Sequence, residues 1–130
     1  MVNDLKIAVP TKGKKLLNDR VADTFSRAPT FTIVTIQGGK IRETTVINNS
    51  AKELTQGAGP MVASIMKDNS VNVVLSGDIG PGASRILKTI EIEIVDIEQG
   101  QKVRQVINNW LEEKLTNNRF KTGPDFSYRF

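Results

Sequence analysis

The stretch VNVVLSGDIGPGAS, residues 71–84, decides the fold, because an apolar run passes into three glycines and a proline within it. Residues 71–75 are apolar at nearly every position, which is typical of a central parallel strand covered on both faces. Residues 81–89 then show a helical pattern. The stretch therefore predicts a strand, a loop and a helix, with bare backbone in the loop that a ligand or a neighbouring strand can approach closely.

Hydrophobic periodicity on either side of this unit predicts the element order βββαβαβα, an α/β protein. The pair Gly38-Gly39 predicts a tight hairpin turn between the second and third strands. Right-handed crossovers and short connections favour a mixed five-stranded sheet with helices on both faces. Its first strand, stopped by Pro10, is expected beside the strand at residues 71–75. The predicted strands are residues 6–9, 31–36, 41–47, 71–75 and 90–95. The predicted helices are residues 60–67, 81–89 and 101–115.

The length of 130 residues is that of one domain, which we place at residues 1–116. Residues 117–130 contain a Gly-Pro pair and no periodicity, and they are expected to form a mobile tail. No apolar run approaches the ~20 residues of a membrane span, and the first residues lack the layout of a signal peptide. A cytoplasmic protein without a membrane partner is therefore expected.

Cysteine and histidine are both absent from the chain, and this absence excludes several chemistries at once. Disulfides, thiolate nucleophiles, zinc fingers, Ser-His-Asp triads and imidazole bases all need one or both of these residues. The net charge is +4, with the excess of lysine and arginine at the two ends of the chain. A basic end can attract nucleic acid. The chain has no RNA-binding aromatic signature and no helix-turn-helix pattern, so nucleic acid is not an expected partner.

Two strings of similar design, QGAGP at residues 56–60 and GDIGPGA at residues 77–83, place Gly-Pro at a predicted helix start. Pro60 is expected at the first helical position, where its missing N–H is not needed. The N–H groups of a first helical turn have no internal partner, and the helix dipole is positive there, so an anion can bind them. If both helix starts face the crevice at the carboxyl ends of the parallel strands, they make one shared anion site. The alternative is that the glycines only permit tight turns between strand and helix.

The long polar loop at residues 11–29, with one helical turn expected near Leu16-Leu17, supplies the candidate counter-charges, although a solvated basic loop is the alternative. Asp78 could ligate a metal or act as a base, or it could hydrogen-bond the backbone of its own turn. Neither glycine string is a Walker A motif or a full dinucleotide fingerprint. The residues predicted to bind the ligand are Gln56, Gly57, Ala58, Gly59, Gly77, Asp78, Ile79, Gly80, Gly82, Lys12 and Arg27.

Four strings of the chain match one family pattern: KIAVP at 6–10, FSRAPTF at 25–31, GAGP at 57–60 and VVLSGDIGPGA at 73–83. Taken together they resemble the dinitrogenase iron–molybdenum cofactor biosynthesis domain family, which consists of small cofactor-carrier domains. The resemblance covers roughly residues 5–115. It implies a ribonuclease-H-like, three-layer α/β/α fold with sheet order 3-2-1-4-5. It also implies binding or carrying of an iron–molybdenum cofactor, its precursor or a related anionic metal–sulfur cluster, with a cofactor-assembly protein as a partner.

The chain departs from that family at two positions, since many members have histidine where this sequence has Gln56 and Thr24. Without histidine or cysteine, the interaction that remains is electrostatic holding of an anionic cluster or an oxyanion by N–H groups, lysine and arginine. The first hypothesis is accordingly a non-enzymatic carrier or sensor. A second is a protein-interaction or scaffold module that has lost cluster ligation. A third is a small hydrolase using Asp78 with a divalent metal, which a lone carboxylate supports poorly.

Overall fold

The computed structural model describes residues 4–121, with side chains described as far as residue 114. Five strands form one mixed sheet, and three helices cover it, as predicted. The strands are β1 (Leu5–Thr11), β2 (Thr30–Gln37), β3 (Lys40–Asn48), β4 (Val73–Ser76) and β5 (Glu93–Asp96). The helices are α1 (Ala58–Asp68), α2 (Pro81–Thr89) and α3 (Val103–Lys121). The sheet order β3-β2-β1-β4-β5 confirms the expected order 3-2-1-4-5.

The sheet is antiparallel on one side of β1 and parallel on the other. β1 pairs with β2, and β2 with β3, in antiparallel ladders, whereas β1–β4 and β4–β5 are parallel. Gly38 and Gly39 join β2 to β3 with φ values of 62° and 78°, the left-handed pair that a type I′ hairpin turn requires. The predicted helical turn in the long loop is present as a short 3₁₀ helix at Leu16–Asn18.

Pro10 does not end the first strand, so that prediction is wrong. Pro10 lies inside β1 opposite Phe31 of β2. Its carbonyl oxygen accepts a hydrogen bond of 2.8 Å from the N–H of Ala22, on the side away from β2. Because the nitrogen and carbonyl of one strand residue point the same way, the missing N–H of Pro10 is not one that β2 needs. The described ladder between β1 and β4 pairs only Ile7 and Ala8, so Pro10 interrupts no bond there either.

The two faces of the sheet are covered by different helices. Ile7 packs in one cluster with Trp110 of α3, while Ala8, its neighbour in β1, packs in the other with Val62 of α1 and Leu87 of α2. This alternation follows from the two-residue period of a strand. The result is the three-layer arrangement that the sequence predicts, with α1 and α2 on one face and α3 on the other.

The C-terminal ends of α1 and α2 share a capping motif that shortens the following strands. Ser70 and Glu91 adopt left-handed φ values of 58° and 67°. The next N–H groups, of Val71 and Ile92, donate to carbonyls five residues back at 3.0 and 2.9 Å, as in a Schellman motif. These residues belong to the caps, and β4 and β5 therefore begin two and three residues later than the periodicity predicts.

The helices also depart from their predicted limits. α1 begins at Ala58, so Pro60 is the third helical residue and not the first. The first turn still tolerates proline, because its N–H groups have no intrahelical acceptor. α3 continues to Lys121, beyond the predicted end at residue 115. Of the expected mobile tail at residues 117–130, the part from residue 122 lies outside the described residues.

Candidate functional site

The N-terminal ends of α1 and α2 converge at the carboxyl end of β4. α1 leads into β4, and α2 connects β4 to the parallel strand β5, so both helices run opposite to β4 on the same face of the sheet. A Cβ built on Gly59 would lie 3.4 Å from Cβ of Ala83 and 3.5 Å from its backbone nitrogen. The structure thus brings together the two glycine strings that the sequence pairs.

The first turns of both helices present backbone N–H groups without a protein acceptor. The intrahelical bonds begin with Met61 N–H to Gly57 O at 3.1 Å and with Ser84 N–H to Gly80 O at 3.0 Å. Both N-cap residues are glycines, so neither has a side chain that could accept from the first turn. Across residues 4–121, no acceptor pairs with the following N–H groups, which we call the amide cradle: Gly57, Ala58, Gly59, Gly82 and Ala83.

The loop between β4 and α2 uses its glycines for different purposes. A Cβ on Gly77 would lie 3.3 Å from the carbonyl oxygen of Ile97, so this glycine allows the chain after β5 to pass closely. A Cβ on Gly80 or Gly82 would meet nothing within 4 Å. Gly77 therefore has a packing role, whereas Gly80 and Gly82 border open space. Ile79 is half-buried and packs against the core under α1 and α2.

Gln56 and Asp78 flank the amide cradle as exposed residues. In the part of the chain that the structure describes, neither side chain forms a hydrogen bond or an ion pair. The expected bond from Asp78 to its own turn is thus absent from that part. The side chains of residues 4–114 also include no group of three or more acidic, histidine or cysteine residues that could hold a metal ion. The hydrolase hypothesis therefore has no metal site among the described residues.

Arg27 lies on a loop that is fixed beside the segment leading into α1. Its Nη1 donates a hydrogen bond of 3.0 Å to the carbonyl of Lys52. The buried side chain of Asn49 holds the same loop by donating to the carbonyls of Ser26 and Ala28, both at 2.8 Å. Arg27 is exposed beyond these contacts, and its remaining N–H donors can meet an anion.

Lys12 lies beside an acidic side chain. Its Nζ is 4.0 Å from Oδ1 of Asp23, and the two side chains are 52% and 67% exposed. An ion pair this open to water contributes little to stability. The described contacts join neither Lys12 nor Arg27 directly to α1 or α2, so the counter-charge role of both residues stays a prediction.

Ser76 is a residue of this site that the sequence did not single out. It is the last residue of β4, its exposure is 1%, and its Oγ has no hydrogen-bond partner among the described residues. The sequence offers no signal for this, because a serine before a glycine-rich loop is ordinary. Only the tertiary structure shows that its hydroxyl is both buried and unpaired.

A groove on the other face of the sheet has the wrong charge for an anion. It lies between β5 and α3, has a volume of about 610 Å³ and is lined in part by Asp96, Glu112 and Glu113. Carboxylates repel anions, so this groove does not compete with the amide cradle for a negatively charged ligand. Among the described residues, no helix is long and apolar enough to cross a membrane.

Comparison with known proteins matches most of the chain. The sequence model of the family described as dinitrogenase iron-molybdenum cofactor matches residues 5–113. An uncharacterised protein of Methanocaldococcus jannaschii is 31% identical over 111 residues, which cover 85% of this chain and 89% of that protein. The matched region contains both glycine strings.

Two solved structures share the fold at the same level of sequence identity. The apo form of the orange protein from Desulfovibrio gigas matches with a TM-score of 0.76 and 27% identity, covering 84% of this chain and 88% of that one. An NMR structure of a protein from Thermotoga matches with a TM-score of 0.69 and 27% identity, covering 83% and 88% of the two chains.

Proposed function

Because the chain belongs to the dinitrogenase iron–molybdenum cofactor family, we propose that it is a non-enzymatic domain that binds and carries an anionic metal–sulfur cluster or an oxyanion. The observation that carries this proposal is the amide cradle, in which two helix starts meet with their N–H groups free among the described residues. The family description names a metal cofactor, and the solved relative from Desulfovibrio gigas is described as an apo form.

The cargo is held by hydrogen bonds and charge in this proposal, and not by metal–ligand bonds from the protein. The chain has no histidine and no cysteine, so imidazole and thiolate ligands for iron or molybdenum do not exist in it. Backbone N–H groups and the guanidinium of Arg27 suit the anionic periphery of a cluster or an oxyanion instead. We assign the contact surface to the predicted site residues, with Gly77 in a packing role.

The energetics favour a ligand that carries several negative charges. One helix start contributes about 0.3–1 kcal/mol to holding an anion, and each charge-assisted hydrogen bond contributes about 1.5–3 kcal/mol. Micromolar affinity needs about 8 kcal/mol. A ligand that touches one helix start and accepts one such bond gains at most about 4 kcal/mol, whereas one that spans both starts and accepts three such bonds, one of them from Arg27, gains about 5–11 kcal/mol, a range that includes the required value.

Titration of the full chain with defined anions tests the proposal. Molybdate, tungstate, phosphate and tetrathiomolybdate are added at low salt, and binding is followed by calorimetry and by the midpoint of thermal unfolding. A ligand present at one hundred times its Kd stabilises the folded state by about 2.7 kcal/mol. Binding should weaken as salt is raised, because exposed charges are screened. The absence of any heat or shift at millimolar ligand and low salt would refute the carrier function.

The scaffold hypothesis remains a second candidate because the chain lacks the histidines that many family members carry, as at Gln56 and Thr24. A scaffold would bind a partner protein, such as a cofactor-assembly protein, without any anion. Sedimentation of the chain with a candidate partner, in the presence and absence of bound anion, separates the two functions. A carrier should change its partner affinity when loaded, whereas a scaffold should not.

A further inference from the structure

The buried hydroxyl of Ser76 is a hydrogen-bonding group without a partner in the described protein. Its Oγ is enclosed at 1% exposure, although water normally satisfies a hydroxyl that the protein does not. Burying such a group unpaired is unfavourable, and native structures contain few examples. Each one calls for a physical reason, and a ligand that supplies the missing acceptor is one such reason.

The position of Ser76 in β4 directs its side chain towards the amide cradle. Residues two apart in a strand share a face, so Ser76 lies on the same face as Val74. Val74 packs in the cluster that contains Ala58 and Ala83, the residues in the first turns of α1 and α2. Because Ser76 ends β4, its hydroxyl lies at the carboxyl end of the strand, on the face of the sheet that α1 and α2 cover.

The backbone of Ser76 is already committed, which leaves the side chain as its free group. Its carbonyl accepts a hydrogen bond of 2.9 Å from the N–H of Ile97. The next residue, Gly77, lies so close to the carbonyl oxygen of Ile97 that a Cβ on it would be 3.3 Å away, and this contact holds the end of β4 beside the residue that follows β5. The hydroxyl therefore sits on a rigid strand end and not on a loop.

We propose that Ser76 donates a hydrogen bond to the bound ligand and selects anions with a terminal oxygen over anions that present only sulfur. The inference rests on the proposed function of the amide cradle. Helix N–H groups attract any negative charge, so they discriminate weakly between oxygen and sulfur. A hydroxyl donates a short, directional bond to oxygen, whereas sulfur is a weak acceptor at a longer distance. The ligand class is therefore an oxyanion of molybdenum or tungsten, or a cluster that keeps an oxo group.

Replacing Ser76 with alanine in the full chain tests the selectivity. Calorimetry at low salt compares molybdate with tetrathiomolybdate. Both are tetrahedral dianions, but the terminal atoms are oxygen in molybdate and sulfur in tetrathiomolybdate. Ser76→Ala should weaken molybdate binding about tenfold or more, the loss expected for a hydrogen bond to a charged group. It should leave tetrathiomolybdate within about twofold. Ser64→Ala, the same change at an exposed position of α1, is the control and should alter neither affinity.

The thermal midpoint of the ligand-free variant gives an independent readout. Removing an unpaired buried hydroxyl should raise the midpoint of Ser76→Ala by a few degrees, on the order of 3–6 °C. A lower midpoint would mean that the hydroxyl has a structural partner, and that outcome overturns the inference.

The two failures are distinguishable. If the unaltered chain binds neither anion, the carrier function falls and the inference falls with it. If the unaltered chain binds molybdate and Ser76→Ala binds it equally well, or loses both anions equally, only the role of Ser76 is overturned.

Discussion

The Gly59→Ala variant should bind anions more weakly than the parent without losing folding stability. Gly59 is the second residue of α1, and the added methyl group would lie 3.4–3.6 Å from three atoms of Ala83, including its backbone nitrogen. These distances are ordinary van der Waals contacts, so the fold accommodates the methyl group without a shift. The methyl group nevertheless fills the space from which a ligand would reach the N–H of Ala83 in the amide cradle.

The methyl group should have opposite effects on the stability of α1 and on the affinity for an anion. Alanine is preferred to glycine within a helix by about 0.5–1 kcal/mol, so the free energy of unfolding should stay the same or rise. Blocking the N–H of Ala83 removes one hydrogen bond to a charged group, about 1.5–3 kcal/mol. Since 1.4 kcal/mol corresponds to a factor of ten, the affinity for a bound anion should fall by about 10- to 150-fold.

Ser64→Ala, at an exposed position of the same helix, is the control for this variant. Urea denaturation should show Gly59→Ala at least as stable as the parent, and calorimetry should show weaker anion binding in Gly59→Ala but not in Ser64→Ala. Equal affinity in Gly59→Ala and the parent would refute the argument that a ligand lies between the two helix starts. An equal loss in Ser64→Ala would show that the proximity to Ala83 is not the cause.

Three further predictions concern the caps and the loops. Gly80→Asp places a carboxylate at an N-cap with φ −62° and ψ 157°, so it should raise stability by about 0.3–1 kcal/mol and weaken anion binding more than tenfold, as urea denaturation and calorimetry would measure. Ser70→Gly and Glu91→Gly each relieve the strain of a left-handed residue, so each should raise the free energy of unfolding measured by urea denaturation by about 0.5–1 kcal/mol; an unchanged value would contradict this strain. Asn49→Ala breaks three hydrogen bonds of 2.8–2.9 Å and should cost about 2–4 kcal/mol in the same assay, and a loss below 1 kcal/mol would count against their role.

The sequence predicts those parts of the fold that depend on periodicity and chain connectivity. Strand alternation, the Gly38-Gly39 turn and right-handed crossovers are enough to predict a mixed five-stranded sheet with β1 beside β4, and the family resemblance supplies the full order of the strands. The prediction of the first strand's end is wrong because a tertiary contact decides the structural role of the residue concerned. Pro10 remains in β1 because the side of the strand on which its N–H is missing faces away from β2. The hydrogen bond from Ala22 N–H to the carbonyl of Pro10 lies on that side, and the local sequence does not show which side of the strand faces β2.

The position of the candidate site was predictable from chain connectivity, but the roles of its individual residues depend on tertiary contacts and were not. Glycine strings before two helices, together with parallel strands, predict that the helix starts meet, and the approach of Gly59 to Ala83 agrees. The individual roles within the strings were not predictable, because Gly77 and Gly82 are the same residue type in different surroundings. Gly77 lies against Ile97, whereas Gly82 borders open space. Ser76 was missed because its burial and lack of a partner depend on the whole fold.

The choice of glycine at both N-caps is the feature that packing alone explains least well. Serine, threonine, aspartate and asparagine are preferred there because their side chains accept a hydrogen bond from the first turn. Gly57 has a φ of 79°, which other residues adopt only with strain, but Gly80 has an extended conformation that a capping side chain fits. Neither first turn contains an acidic residue. A helix selected for stability alone would use a capping side chain at position 80, and that side chain would occupy the N–H groups that an anion needs. The bare cap leaves α2 slightly less stable and keeps its amides free, which is the compromise expected of a binding site.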